Sequence, residues 1–382
     1  MSNSVLEQGE SVRLSQANPP QFVCTFVRGR AAILQMRRQL TAFSEHCGQG
    51  EVFDDLEYFL MRPKFVNKRP CLILFHTKST HLLPEDEREL NGAVLLYEYQ
   101  LLGLGLRAFA SDFHGDERTV IAPLGSRARI ASLACAALME QGALAVQLSY
   151  RDEELNLNPG AVSSQDGKRW RWATTVREIR GPMTIRPTFD ETLALLGKHT
   201  RRNLRAVRRV AEEGLGYEFV VKPSITKEEF LAFNRISAYP ATDEMAAWRY
   251  ESMKLVSNCL LLGLRAADGR WLSLIGGRCS QSYTTVEWQL NRTDLPNFSL
   301  STLMRSHHIE YEASRGAKGI HFLGGTPHTI QHSLEKEKVF GVVVLRQLLP
   351  AALLRPLMYP IRLEHHFLIK TLTDTQLKWQ TW

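Results

Sequence analysis

The six cysteines of this chain (Cys24, Cys47, Cys71, Cys135, Cys259, Cys279) include no C-x-x-C pair, which removes the usual metal clips and dithiol redox motifs. Six thiols scattered over 382 residues also exclude a disulfide framework and predict reduced, mostly buried cysteines in a cytoplasmic protein. The longest apolar stretch, Val339 to Ile361, is interrupted by Arg346, Pro350, Arg355, Pro356 and Pro360 and cannot form a simple spanning helix. Met1 to Gln21 lacks the charged start, apolar run and small-residue cleavage site of a secretory leader. A G-x-S-x-G elbow, a Walker loop and an H-E-x-x-H helix are all missing, so hydrolase, nucleotide triphosphatase and metalloprotease chemistry lack their signatures. Gly103-Leu-Gly105 is only a fragment of a dinucleotide fingerprint and reads as a turn.

What is present is ordinary globular material, 44% hydrophobic and 23% charged, with a net charge of +7 that favours an anionic partner. A length of 382 residues suits two domains. Pro70–Phe75 and Gly92–Tyr97 read as strands, Ala128–Gln141 as a helix closed by Gly142, and Ala143–Ser149 as a further strand. Turn signals fill Arg151–Arg180 before the strand-like Trp170–Val176, and a boundary is expected near Gly181-Pro182. Beyond it the pattern predicts one helix over Phe189–Gly214, a strand Tyr217–Val221, a helix led by Ser224–Glu229 and another around Trp248–Asn258. Strands Cys259–Arg265 and Trp271–Cys279 join through Asp268-Gly269, and a strand Tyr283–Asn291 follows. A helix Ser301–Arg315 stopped by Gly316 and a strand Gly319–Leu323 come next.

Three stretches resemble the Gcn5-related N-acetyltransferase (GNAT) superfamily, in its FemAB-like and CelD-like branch. They are the basic helix Lys198-His-Thr-Arg-Arg-Asn-Leu-Arg-Ala-Val-Arg-Arg209 with Glu213-Gly214, the segment Ser299–Gly316 running into Ile320-His-Phe-Leu-Gly-Gly325, and Leu334-Glu-Lys-Glu-Lys-Val-Phe-Gly341. The resemblance implies an α/β fold with a mixed sheet in two tandem GNAT-like domains, the second carrying the cofactor site. It divides the chain into a disordered or loosely packed stretch 1–20, a cofactor-free copy 21–182, an acyltransferase copy 183–345 and an extension 346–382. The superfamily's glycine-bearing phosphate loop is absent from Arg292–Ser301, and His321 stands where the branch often has Asp.

Acyl transfer from a thioester to an amine requires a polarised carbonyl, an aligned neutral amine and removal of a proton. In Thr284–Asn291 the side chains of Thr285, Glu287, Gln289 and Asn291 alternate with Val286, Trp288 and Leu290, giving a polar row. Glu287 is the candidate base, with Gln289 and Asn291 positioning substrate or cofactor; a half-exposed strand with a solvated face gives the same pattern. Asn297, Ser299, Leu300 and Ser301 stand at a helix N-terminus that favours a pyrophosphate, and either serine also suits an N-cap. Tyr311 shares a helical face with His307 and Leu303 and is a candidate proton donor or a packed lining residue.

The arginine face of 198–209, Arg201 and Arg205 included, has no acid within it and suits the phosphates of coenzyme A, of tRNA or of a nucleotide-linked substrate. The resemblance brings Lys336 and Lys338 to the reacting or phosphate groups and His321 to the substrate. His328 and His332 stand at i, i+4 without a third ligand, so no metal is expected. The reading that follows is an acyl-CoA-dependent N-acyltransferase acting on a small-molecule, peptide-linked or lipid-linked amine bound between the copies. An aminoacyl-tRNA-dependent transferase on a peptidoglycan-type precursor and a non-catalytic binding module are its alternatives. DNA is not expected as a partner, and the Arg- and Leu-rich extension suits either packing or peripheral contact with an anionic membrane.

Overall fold

A computed structural model describes residues 22–49, 56–61, 68–77, 89–101, 106–111, 120–150, 170–256, 258–280, 282–323, 330, 333–346 and 380–381. One element order appears twice. The first copy runs β1 (Phe22–Arg28), α1 (Arg30–Gln35), α2 (Arg37–His46), α3 (Leu56–Met61), β2 (Lys68–Thr77), β3 (Leu90–Leu101), β4 (Leu106–Ala110), β5 (Val120–Ile121), α4 (Arg127–Glu140) and β6 (Ala145–Tyr150). After β7 (Trp170–Thr184), α5 (Phe189–Ala194) and α6 (Lys198–Gly214), the second copy follows. It comprises β8 (Tyr217–Val221), α7 (Lys227–Arg235), α8 (Asp243–Leu255), β9 (Cys259–Ala266), β10 (Trp271–Cys279), β11 (Tyr283–Asn291), α9 (Leu300–Ser314) and β12 (Gly319–Phe322).

The pairing repeats as well as the order. β1-β2-β3-β4 are antiparallel neighbours and β4 pairs with β6 in parallel. Likewise β8-β9-β10-β11 are antiparallel and β11 pairs with β12 in parallel. β13 (Leu334–Arg346) then returns to lie between β6 and β7, antiparallel to both, and β7 reaches β12. β5 pairs with β3 and β14 (Gln380–Thr381) with β7, so the two copies share one continuous sheet. This is the mixed α/β architecture in tandem copies that the motifs imply.

Both faces of each half are covered, which is why the strands are apolar on successive residues rather than alternate ones. Along β2, Cys71, Ile73 and Phe75 pack under α4, while Leu72 and Leu74 pack under α1 to α3. In the second copy Leu260, Leu262 and Val286 join α5, α6 and α9 on one face; Leu261, Trp288 and Leu290 join α7 and α8 on the other.

Several boundaries differ from the sequence expectation. The helix expected over 189–214 is two, because Leu195 N–H and Leu196 N–H close a tight turn onto Thr192 and Leu193 before Gly197 starts α6. α5 begins instead on a reciprocal cap between Thr188 and Glu191. α8 starts five residues before Trp248, at the Thr242 cap whose hydroxyl accepts from Met245 N–H. Gly181-Pro182 lies inside β7, which carries the chain from one copy toward the other within the sheet. Expectations for 1–20, 103–105, 151–169, His328, His332, Gly324-Gly325 and 347–379 fall outside the described residues.

Candidate active site on strand β11

β11 carries a bulge at the candidate base. Successive residues Gly276 and Gly277 of β10 stand opposite Trp288 and Val286, so Glu287 is the extra residue. The Gly276-Gly277 doublet makes this possible, because a Cβ on Gly277 would run into the Thr285 carbonyl and one on Gly276 into the Trp288 ring.

The bulge changes which face each side chain occupies. Thr284 and Val286 point to α9, where Arg315 donates to Thr284 Oγ1 at 2.7 Å. One residue further the phase has shifted: Trp288 and Leu290 pack under α7 and α8, with Trp288 edge-on to Phe230. Gln289 and Asn291 therefore face α9, where Gln289 Nε2 donates to Ser301 O at 3.4 Å and to Asn291 Oδ1 at 3.1 Å. Ser273, fully buried, donates to Asn291 Oδ1 at 2.7 Å.

The expected single polar row is thus two groups. Glu287 turns to the α7/α8 face, where Arg278 Nε donates to its Oε1 at 2.9 Å. Arg278 lies on that face because its neighbour Cys279 packs with the α9 cluster and its register partner Cys259 with the α7/α8 cluster. His321 stands beside Thr285 in the parallel register, and its ring lies 5.6 Å from that of Tyr283. Ile320 belongs to the α9-side core, so alternation puts His321 on the Glu287 face.

Pairing between β11 and β12 stops where the bulge begins. Their ladder covers Tyr283–Val286 against Gly319–Phe322, and Leu323 N–H adds a last bond to Val286 O. From Glu287 to Leu290 no described strand pairs with that edge, and at its end Asn291 O accepts from Ala238 N–H at 2.9 Å beside an isolated bridge between Ser237 and Arg292. In the first copy the β4–β6 ladder likewise gains a bond at its end, from Ser111 N–H to Gln147 O, and Ser111 Oγ accepts from Ser149 N–H. The β3–β4 register there runs without a shift.

α9 starts at the far end of the open edge. Ser299 is the N-cap, yet its hydroxyl bonds Thr302 Oγ1 at 2.8 Å rather than a backbone N–H. Leu300 N–H bonds Phe298 O, and Thr302 and Leu303 N–H bond Ser299 O, so only Ser301 N–H in this turn lacks an acceptor among the described residues. Leu300 offers nothing from its side chain, which is core. Asn297 and Ser299 are exposed beside this end. The other end of α9 is anchored by Glu312, fully buried, which accepts from His308 Nε2 at 3.2 Å and Arg315 Nε at 2.6 Å. Burial works to raise the Glu312 pKa, but the His308 hydrogen bond and the nearby His308 and Arg315 charges outweigh it and hold the group below its ordinary value.

Other candidates are placed elsewhere. Tyr311 lies on the α9 face of the sheet against Phe219 of β8, with ring centroids 6.3 Å apart, so the sheet separates it from Glu287. Burial raises its pKa. Lys336 pairs with Glu178 at 2.7 Å in the open, and Lys338 stands opposite Glu178 on β13; β7 and β12 intervene between β13 and β11. The arginine face of α6 is not free of acids: Arg205 pairs with Asp190 at 2.6 Å, and Arg208 with Glu212 and Glu310 at 2.9 and 2.7 Å. Glu212 is one turn on from Arg208, just past the acid-free stretch 198–209, while Asp190 and Glu310 arrive from α5 and α9. Arg201 and Arg202 keep no such partner among the described residues. Sequence reasoning missed Arg278 and Ser273; the glycine doublet was the signal for the bulge that places them.

Neither a family model nor a curated protein matches the sequence. Solved structures do. FemX superposes with a TM-score of 0.52 at 10% identity, covering 80% of this chain and 95% of FemX. L-PGS from Bacillus licheniformis gives a TM-score of 0.50 at 11% identity, covering 84% of this chain and 95% of L-PGS. The fold is FemX-like. The FemX-like likeness extends over both copies, and at this identity it speaks of fold alone. No group of three or more metal-ligating side chains occurs among the described residues of this FemX-like chain, and none of its described helices is long and apolar enough to cross a membrane.

Proposed function

We propose that this chain is an acyltransferase that moves an acyl group from a CoA thioester to an amine, working at the open edge of β11. One observation carries the reading: the bulge at Glu287 coincides with the end of the β11–β12 ladder, and the edge beyond it leads to the start of α9. The edge of Glu287–Leu290 that faces away from β10 suits an extended arm that carries amides of its own, which would add to the sheet as a further strand. Ser301 N–H and the start of α9 suit the phosphates, with Gln289, Asn297 and Ser299 alongside. These residues therefore fit coenzyme A without the glycine-rich loop.

The donor supplies an activated carbonyl. On the α7/α8 face Glu287, oriented through Oε1 by Arg278, takes the proton of the acceptor amine, and His321 lines the same face. Tyr311 has no part in this reading, and Lys336 and Lys338 stand on β13, with β7 and β12 between them and β11. The acceptor is a small-molecule, peptide-linked or lipid-linked amine, and placement in the cytoplasm, with or without contact to a membrane, belongs to the same proposal. The test is thermal stabilisation by CoA together with release of free thiol from a panel of acyl-CoAs and amines. Stabilisation and thiol release are expected; the absence of both overturns the reading.

The exposed basic stripe Lys198, Arg202, Arg205 and Arg209 on α6 favours a second reading, in which the donor is an aminoacyl-tRNA. Salt-sensitive tRNA binding that disappears on charge reversal of the stripe would select it.

A further inference from the structure

On the α7/α8 face a cavity of about 220 Å³ is lined by Lys222, Ile225, Met253, Lys254, Cys259 and Leu261. It lies between the turn after β8 and the turn from α8 into β9, away from the open edge of β11. Ile225, Met253 and Leu261 give it apolar lining, and two exposed lysines, Lys222 and Lys254, line it as well. Neither lysine is ion-paired with a described carboxylate: Glu251 is engaged by Lys227 at 2.8 Å and Glu287 by Arg278. Lys254 Nζ lies 5.6 Å from the centre of the Tyr250 ring, which leaves its charge uncancelled. Lys222 is the sole described non-glycine residue with positive φ, at 51°, and its N–H is fixed to Leu261 O at 2.8 Å. A side chain held in so uncommon a backbone setting at the mouth of a cavity points to a use for its ammonium. Cys259 adds no negative charge, since burial pushes its thiol up to about 12.

We propose that this cavity binds a short organic anion, a carboxylate seated between Lys222 and Lys254 with a chain of a few carbons on the Ile225, Met253 and Leu261 floor. The volume is too small for a nucleotide-bearing cofactor and large for a single water. The proposal is independent of the acyl-transfer reading, because it uses no residue of the β11 edge.

Cys259 provides the test. Thiol labelling of the full chain is followed at Cys259 by peptide mass spectrometry, with Cys24 on β1 as internal reference. Hexanoate at about ten times its dissociation constant is expected to slow Cys259 labelling roughly tenfold and leave Cys24 unchanged. Hexanamide, which keeps the chain, and inorganic phosphate, which keeps the charge, should each protect far less. Lys222→Gly suits the left-handed backbone, so it should keep or raise the melting temperature while weakening protection; Lys254→Met should weaken it too. Equal protection by hexanamide or phosphate, unchanged protection in the lysine variants, or no protection by hexanoate would each overturn the proposal.

Discussion

Arg278 and Glu287 meet across β10 and β11 at 2.9 Å, with side-chain exposures of 3% and 11%. Their contact sets the direction of the Glu287 side chain at the β11 bulge. A buried pair loses most when one partner is removed, so Arg278→Met should destabilise the fold by about 3 kcal/mol. Arg278→Met with Glu287→Gln should cost clearly less than the two single changes summed, and a double-mutant cycle in urea measures the difference. For the proposed reaction, Glu287→Gln should lower kcat by about 10²- to 10⁴-fold with CoA binding intact, read by steady-state kinetics and thermal shift.

Gly277→Ala should be worse than Gly276→Ala. The new methyl meets the Thr285 backbone carbonyl in the first case and the Trp288 ring in the second, and a backbone within a sheet has less room to give. A loss of about 3 kcal/mol or more is expected for Gly277→Ala, measured by chemical denaturation. Ligand binding at the β11 edge should fall with it, since the bulge ends the β11–β12 ladder.

His307 makes stability fall in mild acid. Its ring bonds Tyr217 Oη at 2.8 Å, and burial, aided by Arg208, lowers its pKa to about 4 from the ordinary 6.5. Between those values the unfolded chain takes up a proton that the folded chain refuses, so stability is complete above about 6.5 and drains as the pH drops toward 4. His307→Gln should flatten the melting temperature profile across that window, even if the plateau at neutral pH is lower.

Charge reversal at Arg201, Arg202 and Arg209 separates binding from folding, because these arginines lie outside the Asp190, Glu212 and Glu310 pairs. Stability should change by no more than about 0.5 kcal/mol. Any binding to tRNA should weaken, with a shallower dependence on salt, in filter-binding titrations.

The strand β11 was legible to the residue: period two, β-branched and aromatic content, and turn residues on both sides fixed Tyr283–Asn291. What the alternation could not carry was the extra residue within it. A bulge leaves the polar-apolar pattern of the sequence unchanged while turning half of it over, so Thr285, Glu287, Gln289 and Asn291 looked like one face and are two. The ion pairs of α6 were illegible for a related reason. Asp190 and Glu310 come from separate elements, and only the packing of α5 and α9 on α6 brings them to the arginines. Tyr311 shared its predicted helical face with His307, and that face proved to look toward β8 because a helical wheel shows which residues go together but not which strand they meet.

β13 occupies the middle of the sheet, and Leu345 pairs with Ala145 some two hundred residues earlier. During synthesis the first copy therefore waits with one side of β6 bare until almost the whole chain has left the ribosome. The seam between the copies is closed by the last described long strand, so a nascent chain halted before Leu334 would present an unmatched apolar strand edge to any neighbour.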